Sequence, residues 1–408
     1  MVSTMGWRLP ATALLAVVTL SSVAGALTAY VWRSDDGPLG PVSARLVNEV
    51  AGEQAVSPSG SALGRVELGD AAIDFPAALS DLPGPPSDMA VDVNGHVWFV
   101  MFQYDGKSNE LYRYDPGKDA VSSFAIPSSS GSEMHSAITI DDRGHVLVAD
   151  GESLVDFAPG SGSYSVTALP APVAHADPLP GHTGTFVTDM AVDEKGHAYL
   201  SRMNAAAITE IDLGSGGVRE IPFPASFRPV YDIALSGDDI WMTTWFDLID
   251  KTSETGVLNV STGALKTVPV KTSALAAASQ GVYGTSLNSA GLVNATRGRI
   301  SAVVSPNVTD SLQGLSDFVA TDPKSGAVWM TGDSRPTIAR YEPESGLTRA
   351  YALPRYTSHI YSRGCTEDLC PSVGEIRTAV SGLAVAPNGD VYFSDATRNR
   401  IGVIHAER

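Results

Sequence analysis

Glu133 and His135 stand two residues apart, directly ahead of an alternating apolar run at 136–140. In an extended segment, side chains two positions apart project to the same side. A carboxylate and an imidazole placed in that way suit either a divalent metal or an acid/base pair. Residues of similar chemistry fall in the longer connections of the chain: His175, His182, Arg228, Tyr231, His359, Arg363, Glu375 and Arg377. Shorter connections add Asp150, Arg202, Trp245, Asp247, Arg335 and Asp395. The catalytic candidates are Glu133, His135, His182 and His359, and the metal candidates are Glu133, His135, Asp150 and Asp395. Arg228, Tyr231, Arg363 and Arg377 are the ligand-contact candidates. The plain alternative for each is a solvated loop side chain. No serine nucleophile elbow, phosphate loop or zinc-protease helix occurs in the sequence, so no nucleophile is named by motif.

The elements that must position these residues repeat. An apolar triplet, a Gly-containing turn and an aromatic strand return at 88–100, 136–149, 189–201, 232–244, 274–286, 317–331 and 382–395. Their starts lie about 40–65 residues apart, the period of a four-stranded propeller blade. One such unit is a hairpin with a single apolar face, and radial stacking buries that face against its neighbours. Each phrase is followed by two more short strand-like runs, for example 110–115 and 121–126, separated by Gly, Pro, Asp or Ser. The expected fold is all-β: a seven-bladed propeller of four-stranded blades over 71–408. After 382–395 only one further strand remains, at 400–404. The run at 71–76 matches the missing outer strand, so ring closure by an N-terminal outer strand is expected.

In a propeller the first-to-second and third-to-fourth strand turns share one face, and the remaining connections share the other. The first set is terse, as in Val93-Asn94-Gly95, Asp142-Arg143-Gly144 and Pro387-Asn388-Gly389. The connections between blades are long and chemically mixed, most of all 355–380. Loops lengthen where function is built on a rigid scaffold, which points to the face with the long connections. His96, His145 and His197 recur after the turn glycine and read as scaffold.

Residues 11–32 are almost uncharged and apolar, follow Arg8 and precede Arg33. That length can span a bilayer, and Ala24-Gly25-Ala26 also offers a small-residue cleavage site. Residues 1–33 therefore read as a signal anchor or a signal peptide, and 34–70 as a flexible linker. Either alternative places the propeller outside the cytoplasm, membrane-anchored or secreted. The chain carries 45 carboxylates against 27 Lys plus Arg, a net charge of −18, which disfavours nucleic acid and anionic lipid as partners. Cys365 and Cys370 are the only cysteines. In an exported protein they read as a disulfide, because a zinc site would need two more ligands and only His359 is close in sequence.

The stretch 97–115 (VWFVMFQYDGKSNELYRYD) resembles virginiamycin B (streptogramin) lyases. The stretch 391–404 (VYFSDATRNRIGVI) is similar to NHL repeats and borders on the SMP-30/gluconolactonase-like families. The resemblance runs over 71–408 and rests on repeat residues. It implies a propeller that opens a cyclic depsipeptide by magnesium-assisted elimination, with His and Glu at the channel mouth. Repeats of that family commonly end their second strand in Glu; of the matching positions here, Asp150 and Asp395 are the acidic ones. The reading that results is an extracytoplasmic, monomeric propeller binding a ligand or a protein partner at its channel mouth. The alternatives are a lyase or lactone hydrolase using magnesium or calcium, and a purely structural envelope protein.

Overall fold

The computed structural model describes residues 73–101, 110–127, 136–150, 152–174, 186–224, 226–244, 253–286, 291–296, 299–303, 318–332, 337–353 and 380–405. It also gives the strand pieces Leu15–Val17, Tyr30–Arg33, Gly37–Pro38, Val66–Leu68, Tyr356–His359 and Val373–Ile376. Most of the apolar leader lies outside the described residues. Among those described, no helix is long and apolar enough to cross a membrane.

The chain forms a β-propeller of antiparallel sheets, each a meander running outward from an inner strand. The inner strand of the first sheet is Pro86–Val91, followed by Val97–Met101, Glu110–Asp115 and Ala120–Ala125. The next four sheets repeat this order, with inner strands Ser136–Ile140, Val187–Val192, Val230–Ser236 and Thr272–Ala278. In the last sheet Leu383–Val385, Val391–Asp395 and Arg400–Ile404 are completed by Ile73–Asp74, which pairs antiparallel with Arg400–Ile404. The N-terminal closure strand is therefore present. Phe75 packs edge-on against Phe393, and Arg400 lies over the Phe75 ring.

The expectation of seven four-stranded blades needs correction: six sheets have four strands and a further one has five. That sheet runs Val319–Thr321, Val328–Gly332, Thr337–Glu342 and Leu347–Ala352, with Val66–Leu68 added in parallel at its outer edge. The physical reason is an open outer edge, whose unpaired backbone groups accept an extended segment passing beside them. The segment comes from within the stretch read as linker.

Second strands carry the core. Val97–Met101 and Val391–Asp395 are buried on both faces, which is why they read as continuous apolar and aromatic runs rather than alternating ones. Each sheet packs on the next: Trp98 with Val148 and Phe157, Leu147 with Leu200, Tyr199 with Met242, and Met89 and Phe99 with Tyr392 and Ile401, joining last to first. Outer strands such as Ser163–Ala168 are mostly exposed.

The terse turns follow from local chemistry. Asp92 Oδ1 accepts hydrogen bonds from the backbone of Asn94 at 2.9 Å and His96 at 3.0 Å. Gly95 closes that turn with φ 83°, a left-handed conformation that costs glycine little. Asp92 Oδ2 accepts from the indole of buried Trp98 at 3.1 Å. Asp141 and Asp193 build the same turns, and His145 and His197 pair with carboxylates as His96 does.

Candidate functional site

The connections between sheets and the second-to-third strand connections leave the same end of the propeller. Three aspartates stand there at one register position, near the starts of inner strands: Asp88, Asp189 and Asp232. The first-to-second strand pairing shifts register beside each of them, between Pro86 and Met89, Val187 and Asp189, and Val230 and Asp232. Such irregularities re-aim side chains. Here the carboxylates cross to the next sheet: Asp88 accepts from Ile138 N at 3.0 Å, Asp189 from Ile233 N at 2.8 Å, and Asp232 from Leu275 N at 2.8 Å. Burial raises all three above the usual carboxylate range, Asp88 to about 6 and Asp189 to about 7. The charge of Asp88 adds to the rise at Asp189, and Asp189 and Asp88 both add to it at Asp232.

One residue before that position, four sheets carry a hydroxyl bonded to neighbouring strands. Ser87 Oγ donates to Val100 O at 3.2 Å, Thr188 and Ser201 share a bond at 2.8 Å, Ser273 and Thr285 at 2.7 Å, and Ser381 and Ser394 at 2.7 Å. In the fourth sheet the same position holds Tyr231, half-buried, with Arg228 half-buried three residues before it. In sequence, His135 occupies this position in the second sheet.

Two ion pairs, each with one buried partner, occupy the same end. Arg202, ending its strand with 2 % of its side chain exposed, donates to Glu220 Oε1 and to Pro170 O, both at 2.7 Å. Thr209 Oγ1 also donates to Glu220 Oε1, at 3.0 Å. Burial lowers the Arg202 pKa, and Glu220 acts against that shift. Asp395, fully buried, takes the Arg400 Nε–H at 2.9 Å.

The remaining candidates are placed less completely. Asp150 ends its strand opposite Ser136 and Ser153. His359 and Glu375 lie in a two-stranded ladder, where Thr357 faces Glu375 and His359 faces Val373. Glu133, His135, His175, His182, Trp245, Asp247, Arg335, Arg363, Arg377, Cys365 and Cys370 lie outside the described residues. Among the described residues, no three His, Cys, Asp or Glu side chains gather as a metal-binding group. Of the candidates read from sequence, the structure places Arg202 and Asp395 in ion pairs and brings Arg228 and Tyr231 to one strand approach. Sequence reading passed over Asp88, Asp189, Asp232 and Glu220. The aspartates' signal was their recurrence at one phrase position, and Glu220 gave none.

A streptogramin B lyase structure aligns with a TM-score of 0.59 at 16 % identity, covering 82 % of this chain and 98 % of its own. Virginiamycin B lyase from Staphylococcus aureus aligns with a TM-score of 0.58 at 15 % identity, covering 82 % and 99 %. The fold is that of a virginiamycin B lyase-like propeller. The WD40 propeller domain of Doa1 also aligns, with a TM-score of 0.55 at 13 % identity over 83 % of this chain and 98 % of its own. No protein-family model matches the chain, and no curated protein matches it. The virginiamycin B lyase-like fold thus has enzymes among its neighbours and a WD40 domain as well.

Proposed function

We propose that this protein is an extracytoplasmic, seven-bladed virginiamycin B lyase-like propeller, the five-stranded sheet counting as a blade with an added strand. It binds a ligand or protein partner at the mouth ringed by the long connections. One observation supports this reading above others. At a position where four sheets use a bonded Ser or Thr, the fourth sheet carries Tyr231, preceded by Arg228. A tyrosine and an arginine there offer an aromatic face and a forked donor, the residue types that anchor binding interfaces. His135 gives the second sheet a ring at the same sequence position.

The test places a photo-crosslinking residue at 228, 231 or 377 and, as control, at 94 in a turn of the opposite face. Adducts from the first three positions alone are expected in the native envelope. Equal labelling from position 94, or none from the first three, overturns the reading.

The second reading is a magnesium- or calcium-dependent lyase or lactone hydrolase, favoured by the fold neighbours and by Glu133 with His135. One neighbour is a catalytically inactive virginiamycin B lyase solved with quinupristin, so quinupristin is the probe to use. Ring opening by this protein with magnesium, lost in His135→Ala, would establish the enzyme reading; no opening favours binding. Export would also leave Cys365 and Cys370 disulfide-bonded, which intact mass with and without reductant decides.

A further inference from the structure

One outer strand of the propeller is built unlike the others. Ser163–Ala168 carries no charged residue, and its Tyr164 and Val166 are 52 % and 46 % exposed. Among the described strands, none pairs with its outer side. Charge, proline and a covering strand are devices that keep a sheet edge from pairing with another chain. Other outer strands use them: Arg219, Glu220 and Pro222 in Gly217–Pro222, Lys266 in Leu265–Val268, Arg299 in Arg299–Val303 and Asp74 in Ile73–Asp74. Leu347–Ala352 is covered by Val66–Leu68, so an outer edge of this propeller does accept an added strand. Ala120–Ala125 is also uncharged, but its Val121 and Phe124 are half-buried. We propose that Ser163–Ala168 is a dimerisation edge, pairing antiparallel with the same strand of a second copy of this chain about Ser165.

The strand is self-complementary. Ser163-Tyr164-Ser165-Val166-Thr167 alternates symmetrically about its central serine. Antiparallel pairing centred there sets Tyr164 opposite Val166 of the second copy and Ser163 opposite its Thr167, and the two-fold axis repeats both pairs. An aromatic ring opposite a β-branched residue, and one hydroxyl opposite another, are cross-strand pairs that stabilise a sheet. Within its own sheet Tyr164 stands beside Phe157 and Val166 beside Val155. The two new Tyr–Val pairs therefore extend the apolar cluster of Val155, Phe157 and Trp98.

Charge favours this edge for contact between like molecules. Each chain carries −18, so two copies repel wherever their carboxylates meet. Residues 157–174 hold no Asp, Glu, Lys or Arg, and Val173, 44 % exposed, belongs to the same stretch. Asp156, which stands beside Ser165 within the sheet, is already paired with Arg143 at 2.8 Å. Six residues of edge give a small contact, so the dimer is weak and reversible. Such a dimer departs from the monomer expected from sequence. Lying at the outer rim, it leaves the mouth open and does not depend on what the mouth binds.

Cysteine crosslinking in the full chain tests this. The axis brings Ser165 against its own counterpart, at the Cα separation of directly opposed residues, about 4.5–5.5 Å, which a disulfide bridges. Ser165→Cys should therefore form a covalent dimer under mild oxidation, above the background of the unsubstituted chain with its Cys365 and Cys370. Ser122→Cys, exposed on the other uncharged outer strand, should not. Ser163→Cys and Thr167→Cys should each stay unlinked alone and crosslink when mixed. Val166→Lys alters an exposed residue, so the melting temperature should hold, while the Ser165→Cys crosslink in that background should be lost. Added salt screens the like charges and should raise the yield. No dimer from Ser165→Cys, as much from Ser122→Cys, self-linking of Ser163→Cys, survival of the crosslink with Val166→Lys, or a yield that salt lowers overturns the proposal.

Discussion

Arg202 and Glu220 show how a charge survives inside a β-sheet edge. The guanidinium is fixed by a carboxylate and a backbone carbonyl, and the carboxylate takes a threonine hydroxyl besides. Removing one partner leaves the other buried and uncompensated, whereas replacing both with apolar residues can be neutral. Arg202→Leu is therefore expected to cost about 3–5 kcal/mol, and Arg202→Leu with Glu220→Leu to recover most of it. Urea denaturation of the two variants checks this. The turn carboxylates add a pH signature. Hydrogen bonds hold Asp92 and Asp193 below 3.8 against the opposing effect of burial, while the bonds of Asp212 outweigh burial that is slight. Their contribution is present above 3.8 and is lost as pH falls through the lowered values. The urea denaturation midpoint should therefore fall in strongly acidic solution.

At the scale of elements, the terse turns are the most completely determined pieces. Asp92 serves the backbone of Asn94 and His96 and the indole of Trp98 at once. Asp92→Ala orphans a buried indole N–H, at an expected cost of about 1–3 kcal/mol, read as a lower melting temperature with the fold retained. These turns and the strands beside them were legible, because Asp and Gly at fixed offsets and continuous apolar runs are local signals. The starts of the inner strands were not. Alternation alone assigns Asp88 to one face of its own sheet, and only the register shift beside it turns the carboxylate toward Ile138. Tyr231 was legible as a candidate for its type, but the hydroxyl position it replaces became visible only when sheets were aligned through their pairings.

For the whole molecule, closure rests on a few N-terminal residues. Ile73–Asp74 supplies the outer strand of the last sheet, His405 reaches Asp74 at 3.0 Å, and Leu79 lies in the core shared with the first sheet. Deleting 35–80 is expected to destabilise the entire propeller and to expose a strand edge that associates. Among the described strands that pair with the propeller, a chain starting at residue 70 loses Val66–Leu68 alone, and it should melt close to the full domain. Thermal melts with light scattering distinguish the two, and equal melting of both truncations would refute closure by this strand.

By itself the sequence determined a repeated four-strand unit, its tight Asp/Gly turns, the need for a borrowed outer strand and the face that carries the long connections. All of these arise from contacts within a few residues or from counting strands. The tertiary structure decided what depends on neighbours distant in sequence. It added the fifth strand of one sheet because an open edge lay beside the passing chain. It paired Arg202 with Glu220 across one sheet, and it converted three scattered aspartates into ties between sheets. A carboxylate's acceptor geometry is the same at all three sites. Its partner is a backbone N–H some 43 to 50 residues away, and no local pattern encodes which strand will arrive there.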